Sequence, residues 1–326
     1  MEALPFLKPF YHFVDFKERV FLLYLASSFL LALCIHLYDR RARRPWTFGS
    51  ASSAPHVPNP SPVREIFPKE VYTHPSAKTD YAYFICNVIL YGFILLPFQL
   101  FGAFFSGEVF SALSLFLTPA VTSDFSAVWL YAVVGVVLIL VSDFGTFLAH
   151  FLAHKVRFLW EFHKVHHSAA VMTPITVYRM HPVDDVFTLI LGGTLTGLAD
   201  AIIRFFLIPE ISPFLLLVLN ILSYVFYVTG YHLRHSHVWL SYGQVVSRFL
   251  ISPAQHQIHH SASKPHWDKN FGFVFAIWDW LFGTLYVPKE REHLTFGIGR
   301  KEEEEYSSVL RLYFLPFKKA WKVLNK

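Results

Sequence analysis

Histidine is the residue type in this chain best suited to chemistry, and most of the 18 histidines fall in four clusters. They read His150-x-x-x-His154, His163-x-x-His166-His167, Tyr231-His232-Leu-Arg-His235-Ser-His237 and His256-x-x-His259-His260. Separations of three and four residues bring side chains onto one face of a helix, so the first, second and fourth clusters can each aim their rings at one point. Imidazole suits iron, zinc, copper and nickel. In the third cluster His232 and His235 lie one turn apart, whereas His237 falls on another face. The candidate ligands are therefore His150, His154, His163, His166, His167, His232, His235, His256, His259 and His260. Ten ligands exceed what one ion can hold, which points to two metals.

The spacing also constrains the backbone. His154 and His163 are nine residues apart, about 180° around a straight helix. A single helix would point the first two clusters in opposite directions, so a break is expected between Lys155 and Phe162. Ser252-Pro253-Ala254-Gln255 predicts a helix start for the fourth cluster, with a capping serine, a first-turn proline and a capping-box glutamine.

Five residues are candidates to support the ligands or face a substrate: Asp143, His181, His237, Asn270 and Asp279. Asp143 lies two turns before His150 on the same face and is expected to take that ring's second N–H. The competing reading for Asp143 is a helix polar contact near the interface, and for Trp278 and Trp280 an interfacial anchor. His12, His36, His56, His74, His266 and His293 stand alone and are read as polar residues of interfaces and loops. A closed, purely structural zinc site is the competing reading of the clusters themselves.

The elements that must position these residues are apolar. Hydrophobic residues make up 54% of the 326, with 35 phenylalanines, and only 16% are charged, against about 25% in soluble domains. Apolar runs predict spans at about Val20–Tyr38, Tyr81–Phe105 and Ala127–Leu148, then a helical hairpin over residues 186–231 around Ile208-Pro-Glu-Ile-Ser-Pro213. Thr79 or Asp80 is the expected cap of the second span, and Ser212 with Pro213 that of the hairpin's second arm. The stretch from Pro45 to Ala77 holds seven of the 19 prolines and reads as an extended linker. Arg40, Arg41, Arg43 and Arg44 place the exit of the first span in the cytoplasm, and the histidines then fall on the same side. The basic end, Lys318 to Lys326, reads as an amphipathic segment on that surface.

The expected fold is all-α: a multi-pass membrane bundle of about four to five spans under a cytosolic, histidine-rich helical cap. The expected organisation is an N-terminal membrane segment (1–44), a linker (45–77), a catalytic domain (78–290) and a basic tail (291–326). The net charge of +5 suits anionic headgroups, and no basic stripe apart from the membrane flanks suggests nucleic acid. Two cysteines, Cys34 and Cys86, exclude a cysteine-ligated iron–sulfur centre within this chain. A GxGxxG fingerprint for a dinucleotide is also missing from the sequence.

The histidine set, with Asp143-Phe-Gly145, Arg179-x-His181-Pro182 and Asn270-Phe-Gly272…Trp278-Asp-Trp-Leu-Phe-Gly-Thr284, resembles the fatty acid hydroxylase/sterol desaturase superfamily over about Val141 to Pro288. In length and in that last motif it resembles bacterial members. The resemblance implies a membrane oxygenase with two irons (zinc being an alternative occupant after purification), O2 as co-substrate and a membrane lipid as substrate. It also implies a separate electron donor, such as cytochrome b5, a ferredoxin or a reductase. Hydroxylation is the leading expectation, with lipid desaturation or methyl oxidation at the same centre as alternatives. A non-enzymatic membrane metal-binding or transport protein is a reading from another class. The expected location is a bacterial inner membrane, or the endoplasmic reticulum for a eukaryotic source.

Overall fold

A computed structural model of the chain describes residues 21–41, 62–119, 128–208 and 213–325. Nine helices carry the argument: α1 (Leu22–Arg41), α2 (Pro75–Ile94), α3 (Phe101–Ser114), α4 (Val128–Lys155), α5 (Arg157–His167), α6 (Pro182–Phe206), α7 (Pro213–Val228), α8 (Pro253–His259) and α9 (Val309–Leu324). Short turns of helix connect them, among them 3-10 segments at Pro174–Tyr178 and Tyr231–His235. The described residues hold no strand, only two isolated bridges, Leu250 with Phe275 and Ser261 with Phe296.

Among the described residues three helices, α1, α4 and α6, are long and apolar enough to cross a membrane. At 1.5 Å per residue the 28-residue α4 is about 42 Å long, against ~30 Å of hydrocarbon. A crossing that began at its first turn would leave its last turns, which hold His150 and His154, beyond the hydrocarbon. The expected second span is not one helix. α2 stops at Ile94, a short helix follows at Leu96–Gln99, and α3 starts at Phe101; Pro97, which lacks a backbone N–H, stands in the first turn of the short helix. α7, with 16 residues, is shorter than a full crossing.

Glycines let α6 approach both neighbours closely. A Cβ at Gly197 would lie 2.5 Å from the Gly102 carbonyl oxygen of α3, and one at Gly145 of α4 would lie 2.8 Å from Gly192 Cα. Small residues at such positions let apolar helices gain dispersion energy that larger side chains would block. In the same contact Ser106 Oγ donates to Asp200 at 2.6 Å, so a carboxylate inside an apolar helix has a partner.

Two local expectations need correction. α2 is capped by His74, whose ring accepts the Ser76 N–H, and Pro75 opens the helix; Asp80 lies within it and pairs with Arg179 instead. Part of the proline-rich linker is helical, at Pro62–Ile66 and Lys69–Tyr72. Pro62 and Pro68 stand at helix starts, where a missing N–H costs nothing. Residues 45–61, the hairpin tip around Glu210 and Ser212, His12 and His56 lie outside the described residues.

The glycine contact predicts unequal costs. Gly197→Ala should lower stability by about 1–3 kcal/mol, because backbone must move. Gly107→Ala, with nothing within 4 Å of its Cβ, should be neutral or stabilising by about 0.5–1 kcal/mol. Thermal or denaturant unfolding in detergent measures both.

Candidate metal centre

α4 delivers His150 and His154 through its last turns, and the helix then breaks at Val156, in an extended conformation (φ −96°, ψ 110°). The break lies inside the window that the histidine spacing requires. It lets α5 turn back and present His163, His166 and His167 to the same volume. α8 starts as its sequence indicates: Ser252 accepts the Gln255 N–H, Gln255 accepts the Ser252 N–H, and Pro253 is the first helical residue. It carries His256 and His259, with His260 as its C-cap. The 3-10 segment Tyr231–His235 enters after Gly230, whose φ of 103° a residue with a side chain rarely adopts.

Nine rings converge in two groups. One comprises His150, His154, His163, His167 and His259, and the other His166, His235, His256 and His260. In each group one ring nitrogen per residue lies within 4.8 Å of all the others. His232, the tenth expected residue, lies in neither group; its ring lies 5.3 Å from that of Tyr231.

In the first group every Nε2 is buried without a hydrogen-bond partner. Three of these rings are fixed from behind through Nδ1. His150 Nδ1 meets the Phe271 carbonyl at 2.8 Å, His163 Nδ1 meets Asp184 Oδ2 at 2.8 Å and His259 Nδ1 meets the Lys269 carbonyl at 2.9 Å. Carbonyl and carboxylate oxygens only accept, so each Nδ1 carries the proton and each Nε2 presents a lone pair inward. In the second group Nε2 atoms abut directly: His166 to His235 at 3.2 Å, His235 to His256 at 3.1 Å and His256 to His260 at 3.2 Å. Metal–imidazole bonds of ~2.1 Å separate neighbouring nitrogens by roughly 3.0 Å at right angles and ~3.4 Å in a tetrahedron. The second group's separations fall in that interval and fit one metal ion, and the five partnerless Nε2 atoms of the first group fit another.

The electrostatics agree. Burial, followed by the neighbouring imidazoles, holds His166, His167, His256, His259 and His260 well below the usual histidine pKa. Neutral imidazole is the form that binds metal. The Trp160 ring stands 4.9 Å from His154 and 5.5 Å from His167. Phe271 lies 4.9 Å from His154 and 5.5 Å from both His150 and His259. Aromatic surface thus covers the first group.

The supporting residues differ from expectation in detail. Asp143 does not reach His150: seven residues along a helix span about 10.5 Å. Its carboxylate accepts the backbone N–H of Val274 (2.8 Å) and Phe275 (3.1 Å) and the indole N–H of Trp278 (2.9 Å). Asp279 accepts the N–H of Phe271 and of Gly272, each at 2.8 Å, and burial pushes its pKa up to about 6. Asn270 accepts the Tyr286 N–H and donates to the Gln255 carbonyl. Together the three hold the loop whose Phe271 carbonyl orients His150. His181 accepts the Val183 N–H at Nδ1, capping α6, and its Nε2–H donates to the Tyr313 carbonyl at 3.0 Å. His237 donates to the Glu65 carbonyl, away from both groups. Of the isolated histidines, His36 pairs with Glu65 and His266 with Glu292.

Sequence reasoning missed Asp184 and Asp80. Asp184 stands in the first turn of α6, where the helix dipole favours an acid, and the Pro182 start was its only sequence signal. Asp80 receives Arg179 Nη1 at 2.6 Å. The same guanidinium donates to the Val165 carbonyl and to Ser168, at the C-terminal end of α5. A buried, paired arginine therefore caps the helix that carries three of the rings.

Residues 135–284 match the fatty acid hydroxylase family. The ornithine lipid hydroxylase OlsE of Rhizobium tropici is 29% identical over 183 residues, 56% of this chain and 50% of that protein. An alkylglycerol monooxygenase of Caenorhabditis elegans is 28% identical over 184 residues, 56% of this chain and 32% of that protein. The very-long-chain aldehyde decarbonylase GL1-9 of Oryza sativa subsp. japonica is 28% identical over 192 residues, 56% and 65% of the two chains. The chain thus spans half or less of the length of the first two relatives. No solved structure matches.

Asp184→Asn keeps the shape but exchanges a charged acceptor for an amide. It should weaken metal retention by about 10–100-fold with the fold intact. Competition against a chelator, with circular dichroism alongside, measures this.

Proposed function

We propose that this chain, which belongs to the fatty acid hydroxylase/sterol desaturase superfamily, is an O2-dependent di-iron oxidoreductase that hydroxylates a C–H bond of a membrane lipid. Electrons come from a separate donor: a cytochrome b5, a ferredoxin or a reductase. The observation that carries this reading is the pair of buried histidine groups with their lone pairs turned inward, built on the end of an apolar, membrane-length helix. His150, His154, His163, His167 and His259 would hold one iron, and His166, His235, His256 and His260 the other. Once bound, the irons would supply O2 activation and the oxidant for an unactivated C–H bond.

The chain's own residues do the rest. Asp184 and the Phe271 and Lys269 carbonyls hold three ligand rings in one tautomer. Trp160 and Phe271 exclude water from the first group. A cavity of about 630 Å³ lies between α4, α7 and the loop after Phe271, bounded by Ile139, Thr146, Leu222, Phe226, Val274 and Phe275 among others. Thr146 is one helical turn before His150, so the cavity runs toward the metal end of α4. Its one carboxylate, Asp143, is occupied by three donors, which leaves the walls suited to an alkyl chain. The lipid enters from the bilayer, while electrons and protons arrive from the aqueous side on which the histidines stand. We place that side in the cytoplasm and the protein in a bacterial inner membrane, following the arginines after α1.

The decisive experiment is metal analysis of the detergent-purified, iron-supplied protein, followed by turnover with a reducing partner under 18O2. About two irons per chain, lost on His166→Ala with His259→Ala, and one 18O atom in a hydroxylated lipid are expected. Zinc that resists exchange, with no O2 consumption, would replace this reading with a structural site. An unlabelled product with a new double bond would replace hydroxylation with desaturation.

Leu222→Trp should fill part of the cavity without touching a ligand. Shorter acyl chains should then be preferred, by about 10-fold or more in kcat/KM for a loss of 1–3 kcal/mol of apolar binding, at unchanged metal content. Competition between lipids of two chain lengths tests it.

A further inference from the structure

Helix α9 presents an apolar face that no element of the described chain covers. Leu310, Phe314, Phe317, Trp321 and Leu324 are 69%, 67%, 51%, 69% and 62% exposed. At 100° per residue these five fall within an arc of about 80°. The opposite face is buried through Leu312, Pro316 and Ala320, where α9 lies against α5. Arg311, Lys318 and Lys322 fall together along one edge of the apolar stripe. Lys319, on another face, is taken up by Glu305 at 2.6 Å.

The level of this stripe is set by its contacts. His181, the cap of the apolar helix α6, donates to the Tyr313 carbonyl of α9. Phe317 stands 5.3 Å from the His181 ring and 5.2 Å from Phe162 of α5. α9 therefore lies beside the point where α6 starts, which is the membrane boundary if α6 crosses. A helix with an apolar stripe, a tryptophan and a basic edge at that depth fits the headgroup layer.

We propose that α9 is a docking helix for an anionic lipid surface. It inserts Leu310, Phe314, Phe317, Trp321 and Leu324 among the upper acyl carbons and sets Arg311, Lys318 and Lys322 against headgroup phosphates. Phe317, half exposed, also packs one side of its ring on Phe162 of α5, so the bilayer surface forms one wall of the histidine-bearing unit. This rests on the membrane reading of α6 and not on the oxygenase reading.

The test places a nitroxide on the full-length chain at Phe314→Cys, and separately at Ile202→Cys on the exposed face of α6, both with Cys34→Ser and Cys86→Ser. Accessibility to O2 and to a water-soluble nickel chelate is then measured in nanodiscs of phosphatidylcholine with and without phosphatidylglycerol. With the anionic lipid, position 314 should be O2-accessible and chelate-protected. Arg311→Gln, Lys318→Gln and Lys322→Gln should each lower the ratio of immersed to exposed helix by about fivefold, the effect of one basic charge near such a surface. Chelate access at 314 equal to that in detergent would overturn the proposal. So would protection from both reagents regardless of lipid, which means a covering protein surface. Chelate access at Ile202 would remove the membrane reading on which the proposal stands.

Discussion

A buried imidazole has two nitrogens to satisfy, and in His150, His163 and His259 this protein satisfies one and leaves the other without a partner. The five Nε2 atoms of the first group lack partners inside the protein, at about 1–3 kcal/mol for each buried unsatisfied group. The sum, roughly 5–15 kcal/mol, equals the whole stability of a typical domain. The second group brings lone pairs to within 3.1–3.2 Å of each other. Without a cation one ring of each such pair must turn its N–H inward; with a cation between them every ring can present a lone pair. Ions bound between these groups would offset that desolvation cost, so on the proposed function metal binding would add directly to the stability of the folded unit.

The surrounding structure follows from keeping those lone pairs aimed. Each fixed ring needs an acceptor behind it, and the acceptors come from three places: the first turn of α6, the carbonyl of Lys269 and the carbonyl of Phe271. A carbonyl in a loop is a poor anchor unless the loop is itself held. Asp143 and Asp279 hold it by accepting four backbone N–H groups and an indole N–H between them. Two buried carboxylates are thus used for geometry, one step removed from the rings. Arg179 does the same for α5 from the other end, with Asp80 neutralising it.

Helix-borne ligands were legible in the sequence because their spacing is local. Two clusters of His-x-x-His-His and one of His-x-x-x-His can only converge if α4 and α5 are separate, and the break at Val156 was deducible for that reason. The carboxylates were less legible because their partners are remote. Asp143 bonds residues more than 130 positions away, and Asp184 meets a ring 21 positions earlier. The third cluster misled for a different reason. It lies in a 3-10 turn after a left-handed glycine, where α-helical spacing does not say which ring points inward. The broken second span was similarly hidden, since hydropathy sums over Pro97 while the backbone does not.

On the proposed function, a site at the membrane edge follows from what the two kinds of reactant require. Alkyl chains are available at high concentration only in the bilayer, whereas electrons and protons come from water. A site in mid-bilayer would have to bury nine imidazoles far from any aqueous donor, and a site in solution would have to extract a lipid at a cost of about 0.8 kcal/mol per CH2. Extending one apolar helix past the hydrocarbon and mounting the rings on its last turns avoids both costs. The length of α4, rather than any single histidine, is what lets one rigid element run from the apolar cavity at Ile139 to the rings at His150 and His154.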